Sequence, residues 1–134
     1  MSRARAFPLV RRAIALLYVV AVFYGGTANL GPLPQTAFIA SDKLGHVLAF
    51  AGLELAFELA WLELRPGVRR ALAILASLGV GLALELVQAG LPHRAGDPLD
   101  FVADAIGTLL GALVATLLGR NAARHRRATP SRSS

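Results

Sequence analysis

The 134-residue chain contains no cysteine. Disulfides, thiolate nucleophiles and cysteine-ligated metals are therefore excluded. Charge is scarce, at 16% of residues against 55% hydrophobic ones. No stretch alternates apolar and polar residues with a period of two, which argues against a transmembrane β-barrel. There is no Gly-rich phosphate loop, and no serine is placed as a nucleophile beside the ionisable residues. With no HExxH and no close pair of histidines, neither a metal nor another cofactor is expected.

What the chain has instead is long apolar runs. They lie at about 9–29, 44–64, 68–90 and 99–119, and each is close to the ~20 residues that cross a hydrocarbon core of ~30 Å. A soluble chain of this length has no core large enough to bury four such helices. The expected fold is all-α: a four-helix transmembrane bundle occupying 1–119 as one domain. Residues 120–134, "RNAARHRRATPSRSS", are basic and polar and read as a disordered tail. The first run, with its arginine-rich start, resembles a signal peptide in outline. Its length and the weak cleavage site at "GGTANL" favour an uncleaved span.

The net charge of +6 is placed one-sidedly. Arg3, Arg5, Arg11 and Arg12 stand at the start of the first run; Arg65, Arg69 and Arg70 lie between the second and third; Arg120, Arg124, Arg126, Arg127 and Arg132 follow the fourth. Only Lys43 and Arg94 fall at the other end. Basic loops stay cytoplasmic. Both termini are therefore expected inside, in a multi-pass protein of a bacterial inner (plasma) membrane, and the loops 30–43 and 91–98 outside. The expected partners are membrane lipids, not nucleic acid.

The spans also carry residues that lipid disfavours. An ionisable group near the centre of a span costs at least ~2.5 kcal/mol on insertion scales. In the fourth run Asp97, Asp100, Asp104, Gly107 and Gly111 follow spacings of three, four, three and four, and so share one stripe. Gly107 and Gly111 form a GxxxG, which lets helices approach closely. The aspartates thus point into the bundle. Ser77, Gly81, Glu85 and Gln88 share a stripe on the third run. Asp42, His46, Phe50 and Glu54 spread over about a third of the second helix. At ~1.5 Å per residue, His46, Glu85, Gln88, Asp100 and Asp104 fall within about 8 Å of the outer edge. The reading is an outward-facing polar pocket of Asp42, Lys43, His46, Glu85, Gln88, Arg94, Asp97, Asp100 and Asp104, with Glu54 deeper.

Plainer roles stand beside that reading. Ser41 or Asp42 suits a helix N-cap, Lys43 an interfacial anchor, and Arg94 an ion pair with Asp97 or Asp100. Aspartates also suit a helix N-terminus, where the dipole favours negative charge by ~0.3–1 kcal/mol. Glu63 is expected to pair with Arg65 or another loop arginine. Three functional alternatives stay open. One is a small envelope enzyme using His46 with Glu85 or Asp104 as acid and base. Another is a structural subunit, or a homo-oligomer, in which the glycine face matters more than the carboxylates. The third is a proton-linked transporter, which Glu54 at mid-depth suggests and for which four short spans would need to oligomerise.

The segments "DKLGHVLAFAGL" and "GLALELVQAGLPHRAGDPLDFVADAIGTLLG" together resemble the VanZ-like family of small membrane proteins. Members are similar in showing D-K-x-x-H at the start of one helix, E-x-x-Q at the end of the next, an arginine, and then D-x-x-D-x-x-x-N-x-x-G. The matching residues here are Asp42, Lys43 and His46; Glu85 and Gln88; Arg94; and Asp97, Asp100 and Gly107. The resemblance spans about residues 40–115, and Asp104 stands where the family often has asparagine. The name-giving member is linked to low-level resistance to teicoplanin, a lipid-tailed glycopeptide. The resemblance therefore implies a pocket that binds a cell-envelope amphiphile, either a lipid-linked cell-wall precursor or a lipoglycopeptide. In such a pocket the cations Arg94 and Lys43 would meet anionic head groups, and Glu85, Asp100 and Asp104 would hold His46 and Arg94 in place or accept sugar or amide donors.

Overall fold

The computed structural model describes residues 3–28, 35–92 and 97–128, with the side chains of 3–5, 35–41 and 126–128 excepted. Four helices account for them: α1 (Arg3–Thr27), α2 (Gln35–Ala60), α3 (Pro66–Ala89) and α4 (Pro98–Ala128). No strand occurs among the described residues. Pro66 occupies the first turn of α3, where its missing N–H leaves nothing unsatisfied. Gly90 follows as the C-cap, its N–H bonded to the Val87 carbonyl at 3.1 Å.

Two boundaries differ from the sequence reading. α2 begins at Gln35, so Asp42 and Lys43 lie inside the helix and not at its cap. α4 continues to Ala128, so the stretch read as a disordered tail begins helical. "RNAARHRRA" is built from arginine, alanine and other residues compatible with a helix, and cations suit a helix C-terminus.

Three helical segments are long and apolar enough to cross a membrane: Ala6–Thr27, Pro66–Ala89 and Pro98–His125. α2 is not among them, because it carries Asp42, Lys43, His46, Glu54 and Glu58. Its position explains how it tolerates them. α2 packs against each of the other three helices, most extensively against α4, and His46, Glu54 and Glu58 are all buried. The facing residues give the directions. Gly107 and Gly111 of α4 lie against Val47 and Ala51 of α2, so these two helices run parallel. Ser77 and Gly81 of α3 meet Glu54 and Phe50 of α2 in reverse order, so α3 runs antiparallel to α2.

The outside of the bundle is apolar. Leu16, Leu17, Leu75, Leu86, Leu109 and Leu118 are each exposed. The inside is unusually polar: Glu54, Ser77, Asp104 and Thr108 are fully buried beside Phe50, Leu53 and Leu84. A water-soluble domain hides leucine and shows carboxylates. This arrangement is inverted, and it suits a membrane protein whose surroundings are lipid.

The glycine stripe of α4 is used as expected. A Cβ at Gly107 would fall on the Val47 carbonyl oxygen, and one at Gly111 would lie 2.6 Å from the Ala51 carbonyl oxygen. Both neighbours are backbone atoms that cannot rotate away. Small residues here set the α2–α4 distance.

Candidate functional site

Most of the ionisable residues gather at two levels, one at each end of the bundle. The first is formed by α2 and the N-terminus of α4. Asp97 precedes α4 and caps it: its Oδ1 accepts the Leu99 N–H at 2.9 Å. Its other oxygen, Oδ2, accepts from Lys43 Nζ at 2.6 Å. The same ammonium donates to Asp100 Oδ1. Lys43 therefore ties α2 to α4 through two carboxylates, one of which is buried. The Lys43 ammonium, and after it the Leu99 N–H, hold the Asp97 carboxyl below the usual carboxylate range.

One turn deeper, His46 Nδ1 donates to Asp104 Oδ1 at 2.7 Å. Both side chains are buried. The bond orients the ring and turns Nε2 toward Asp100, whose Oδ2 lies 3.9 Å away. The second oxygen of Asp104 faces Gly81 of α3, where a Cβ would lie 3.0 Å from it. Asp104 Oδ2 has no hydrogen-bond partner. Glu85 on α3 is half-buried, has Asp100, Asp104 and His46 as electrostatic neighbours, and keeps its buried Oε1 unpartnered.

Asp42, His46 and Asp100 each place one potential ligand atom within 4.8 Å of the others. A divalent cation fits that spacing, but the donor set is already served. The Lys43 ammonium sits on Asp100, and a second cation on the same carboxylate meets its repulsion.

The second level lies at the arginine-rich end. Glu58 of α2 accepts from Arg69 Nε, and from Arg70 Nε at 2.8 Å. Arg70 also donates to Thr116 of α4. Glu63, in the turn after α2, pairs with Arg12 and with Arg11 at 3.6 Å, not with Arg65. Between the levels, Ser77 donates to Glu54 Oε2 at 3.0 Å, and Glu54 Oε1 is unpartnered.

Of the residues singled out from sequence, Asp42, Lys43, His46, Glu85, Asp97, Asp100 and Asp104 meet at the first level. Gln88 does not take part in their hydrogen bonds. It is buried, and its Nε2 donates to the Gly26 carbonyl at 2.8 Å, tying α3 to the end of α1. Arg94 and its expected ion pair lie outside the described residues, among which Lys43 pairs with both Asp97 and Asp100. Gly107 and Gly111 act in packing. Sequence reasoning missed Thr108 and Thr116. Thr108 is four residues past Asp104, and Thr116 eight further, so continuing the aspartate stripe would have reached both. It also treated Arg69 and Arg70 as topology signals only, although both reach inward to a buried glutamate.

No family model, no curated protein and no solved structure matches this chain.

Proposed function

We propose that the protein is a VanZ-like multi-pass protein of the bacterial plasma membrane, with both termini cytoplasmic. Its charged level binds the polar head of a cell-envelope amphiphile from outside. The observation behind this reading is the charge imbalance at the site. Among the described residues, Asp97, Asp100, Asp104 and Glu85 gather about Lys43 and His46, and Lys43 is already held by two of the aspartates.

That balance narrows the ligand class. The sequence reading set Arg94 and Lys43 against anionic head groups and the carboxylates against sugar or amide donors, and the described residues favour the second. An acceptor-rich cluster with its lysine engaged repels phosphate and welcomes ammonium, amide and hydroxyl donors. Exposed Leu44, Leu86 and Leu99 are neighbours in sequence of Lys43, Glu85 and Asp100 and offer an apolar flank for an acyl tail. A lipoglycopeptide such as teicoplanin combines such donors with such a tail.

Titration calorimetry with purified protein and teicoplanin tests the reading. Glu85→Gln leaves every described hydrogen bond of the cluster in place, because Glu85 makes none of them. It is expected to weaken binding about tenfold, the loss of one charge-assisted hydrogen bond at ~1.4 kcal/mol. Asp100→Asn is expected to weaken it further. Equal affinity in wild type and both variants would remove the cluster from recognition.

The His46–Asp104 bond gives the enzyme alternative its one specific support, since a carboxylate orienting imidazole is the arrangement of a general base. Turnover of a lipid-linked substrate, lost in His46→Gln, would favour it over binding alone.

A further inference from the structure

Three helices carry facing stripes of buried residues. On α2 these are His46, Phe50, Glu54 and Glu58; on α3, Ala73, Ser77 and Gly81; on α4, Asp100, Asp104, Thr108 and Ala112. Within this seam three side-chain oxygens have no hydrogen-bond partner: Asp104 Oδ2, Thr108 Oγ1 and Glu54 Oε1. All three residues are fully buried. An unmet buried polar group costs about 1–3 kcal/mol, so native proteins fill such places with ordered water or use them. Isolated orphans arise anywhere. These three lie in one seam that runs from the first charged level toward the second.

We propose that this seam conducts protons between the two ends of the bundle, with Glu54 as the central carrier. Hydrogen bonds and helical rise set its steps. Asp104 shares a hydrogen bond with His46 at the outer level and turns its free oxygen to Gly81. Ser77, one turn from Gly81, donates to Glu54. Gly111 lies against Glu54 and His46 against Asp104, so Asp104 and Glu54 stand two helical turns apart, ~10 Å along the axis, which a short file of waters spans. Thr108 lies one turn past Asp104 on the facing helix, and its hydroxyl both accepts and donates. Phe50, fully buried with its ring edge against Gly81, keeps the α2 side of this gap apolar.

Glu54 differs from its neighbour one turn on. Glu58 is held by two arginines, whereas Glu54 has a serine hydroxyl and an open oxygen. The charged groups that act on Glu54 are Glu58 of its own helix and Arg70 of α3. A carboxyl so placed exchanges a proton with a neighbouring water without breaking an ion pair. Each proton entering at His46 releases one past Glu58, and only N–H and O–H bonds form and break. The inference rests on the membrane reading, which puts the two levels at opposite faces. It does not depend on the head group bound outside.

The test uses the full chain reconstituted in vesicles holding a pH-sensitive dye, with a potassium gradient and valinomycin supplying the driving potential. Wild-type vesicles are expected to change internal pH several-fold faster than protein-free ones. Glu54→Gln should return the rate to the protein-free value. Glu63→Gln, a carboxylate outside the seam, should keep the wild-type rate. Thr108→Val, which removes only the hydroxyl, should slow transfer several-fold, and it decides the matter if Glu54→Gln does not reconstitute. A wild-type rate no faster than empty vesicles overturns the proposal. So does an undiminished rate in Glu54→Gln or in Thr108→Val.

Discussion

Gly107→Ala is expected to destabilise the protein by about 3 kcal/mol, the upper part of the usual range for overpacking. The added methyl would land on the carbonyl of Val47. A side chain in its place would rotate aside, but a backbone carbonyl inside a helix does not. α2 and α4 must therefore move apart along their whole interface, the most extensive in the bundle. The same motion stretches the bonds from Lys43 to Asp97 and Asp100 and from His46 to Asp104, which cross that interface. Loss of ligand binding should accompany loss of stability. Gly79→Ala is the matched control. Nothing lies within 4 Å of a Cβ at position 79, and alanine is the better helix former by about 1 kcal/mol. Its thermal unfolding in detergent should match or slightly exceed wild type. A Gly107→Ala protein as stable as Gly79→Ala would mean that the two helices do not meet at this glycine.

Lys43→Met is expected to be the second most damaging change, at roughly 2 kcal/mol. Removing one partner of a buried pair costs about 3–5 kcal/mol, and partial exposure lowers that figure here. The Lys43 side chain is 26% exposed and that of Asp100 only 8%. Methionine preserves the length and apolar stem of lysine, so the loss reports the charge. The change also has a pH signature. The Asp97 carboxyl lies below its ordinary value because Lys43 donates to it. A carboxylate with a depressed folded-state value stabilises the fold above its unfolded value, near pH 4. That contribution disappears as pH falls through the folded value. The gap between wild type and Lys43→Met should therefore be full at neutral pH and narrow below about pH 4. Unfolding curves collected from pH 7 to pH 3 show it directly. A gap that stays constant across that range would place the effect in packing instead of charge.

Much of this structure is visible in the order of residues, and the reasons are physical. Four apolar runs of spanning length leave little choice but four helices, and the helices found overlap all four runs. The aspartate–glycine stripe of α4 predicted its inward face, because a spacing of three and four holds on any α-helix. The GxxxG predicted close approach, and it occurs against α2. Boundaries were harder. Asp42 and Lys43 looked like the edge of a helix because charge usually marks one. They lie inside α2 because α4 brings Asp97 and Asp100 to meet the lysine. Partner choice was harder still. Lys43 and Asp100 are 57 residues apart, and spacing along one helix says nothing of how a neighbour is rotated against it. Gln88 shows this well. It shares a stripe with Glu85, yet it reaches to the Gly26 carbonyl of α1. Thr108 was overlooked because a threonine in a span attracts no notice until its hydroxyl proves to be buried and unpartnered.

The recognition proposal needs the charged level to face outward and the arginine level to face the cytoplasm, and the proton seam needs the two levels at opposite faces. The natural absence of cysteine makes that directly measurable. Gly90 follows α3 at the charged end and is exposed. Gly67 opens α3 at the arginine end, with nothing within 4 Å of an added Cβ. Gly90→Cys and Gly67→Cys, expressed singly in intact cells, would be treated with a membrane-impermeant maleimide before and after permeabilisation. Position 90 should label in intact cells, and position 67 only once the membrane is opened. Labelling of position 67 in intact cells, with position 90 protected, would invert the bundle and contradict an outward-facing recognition site.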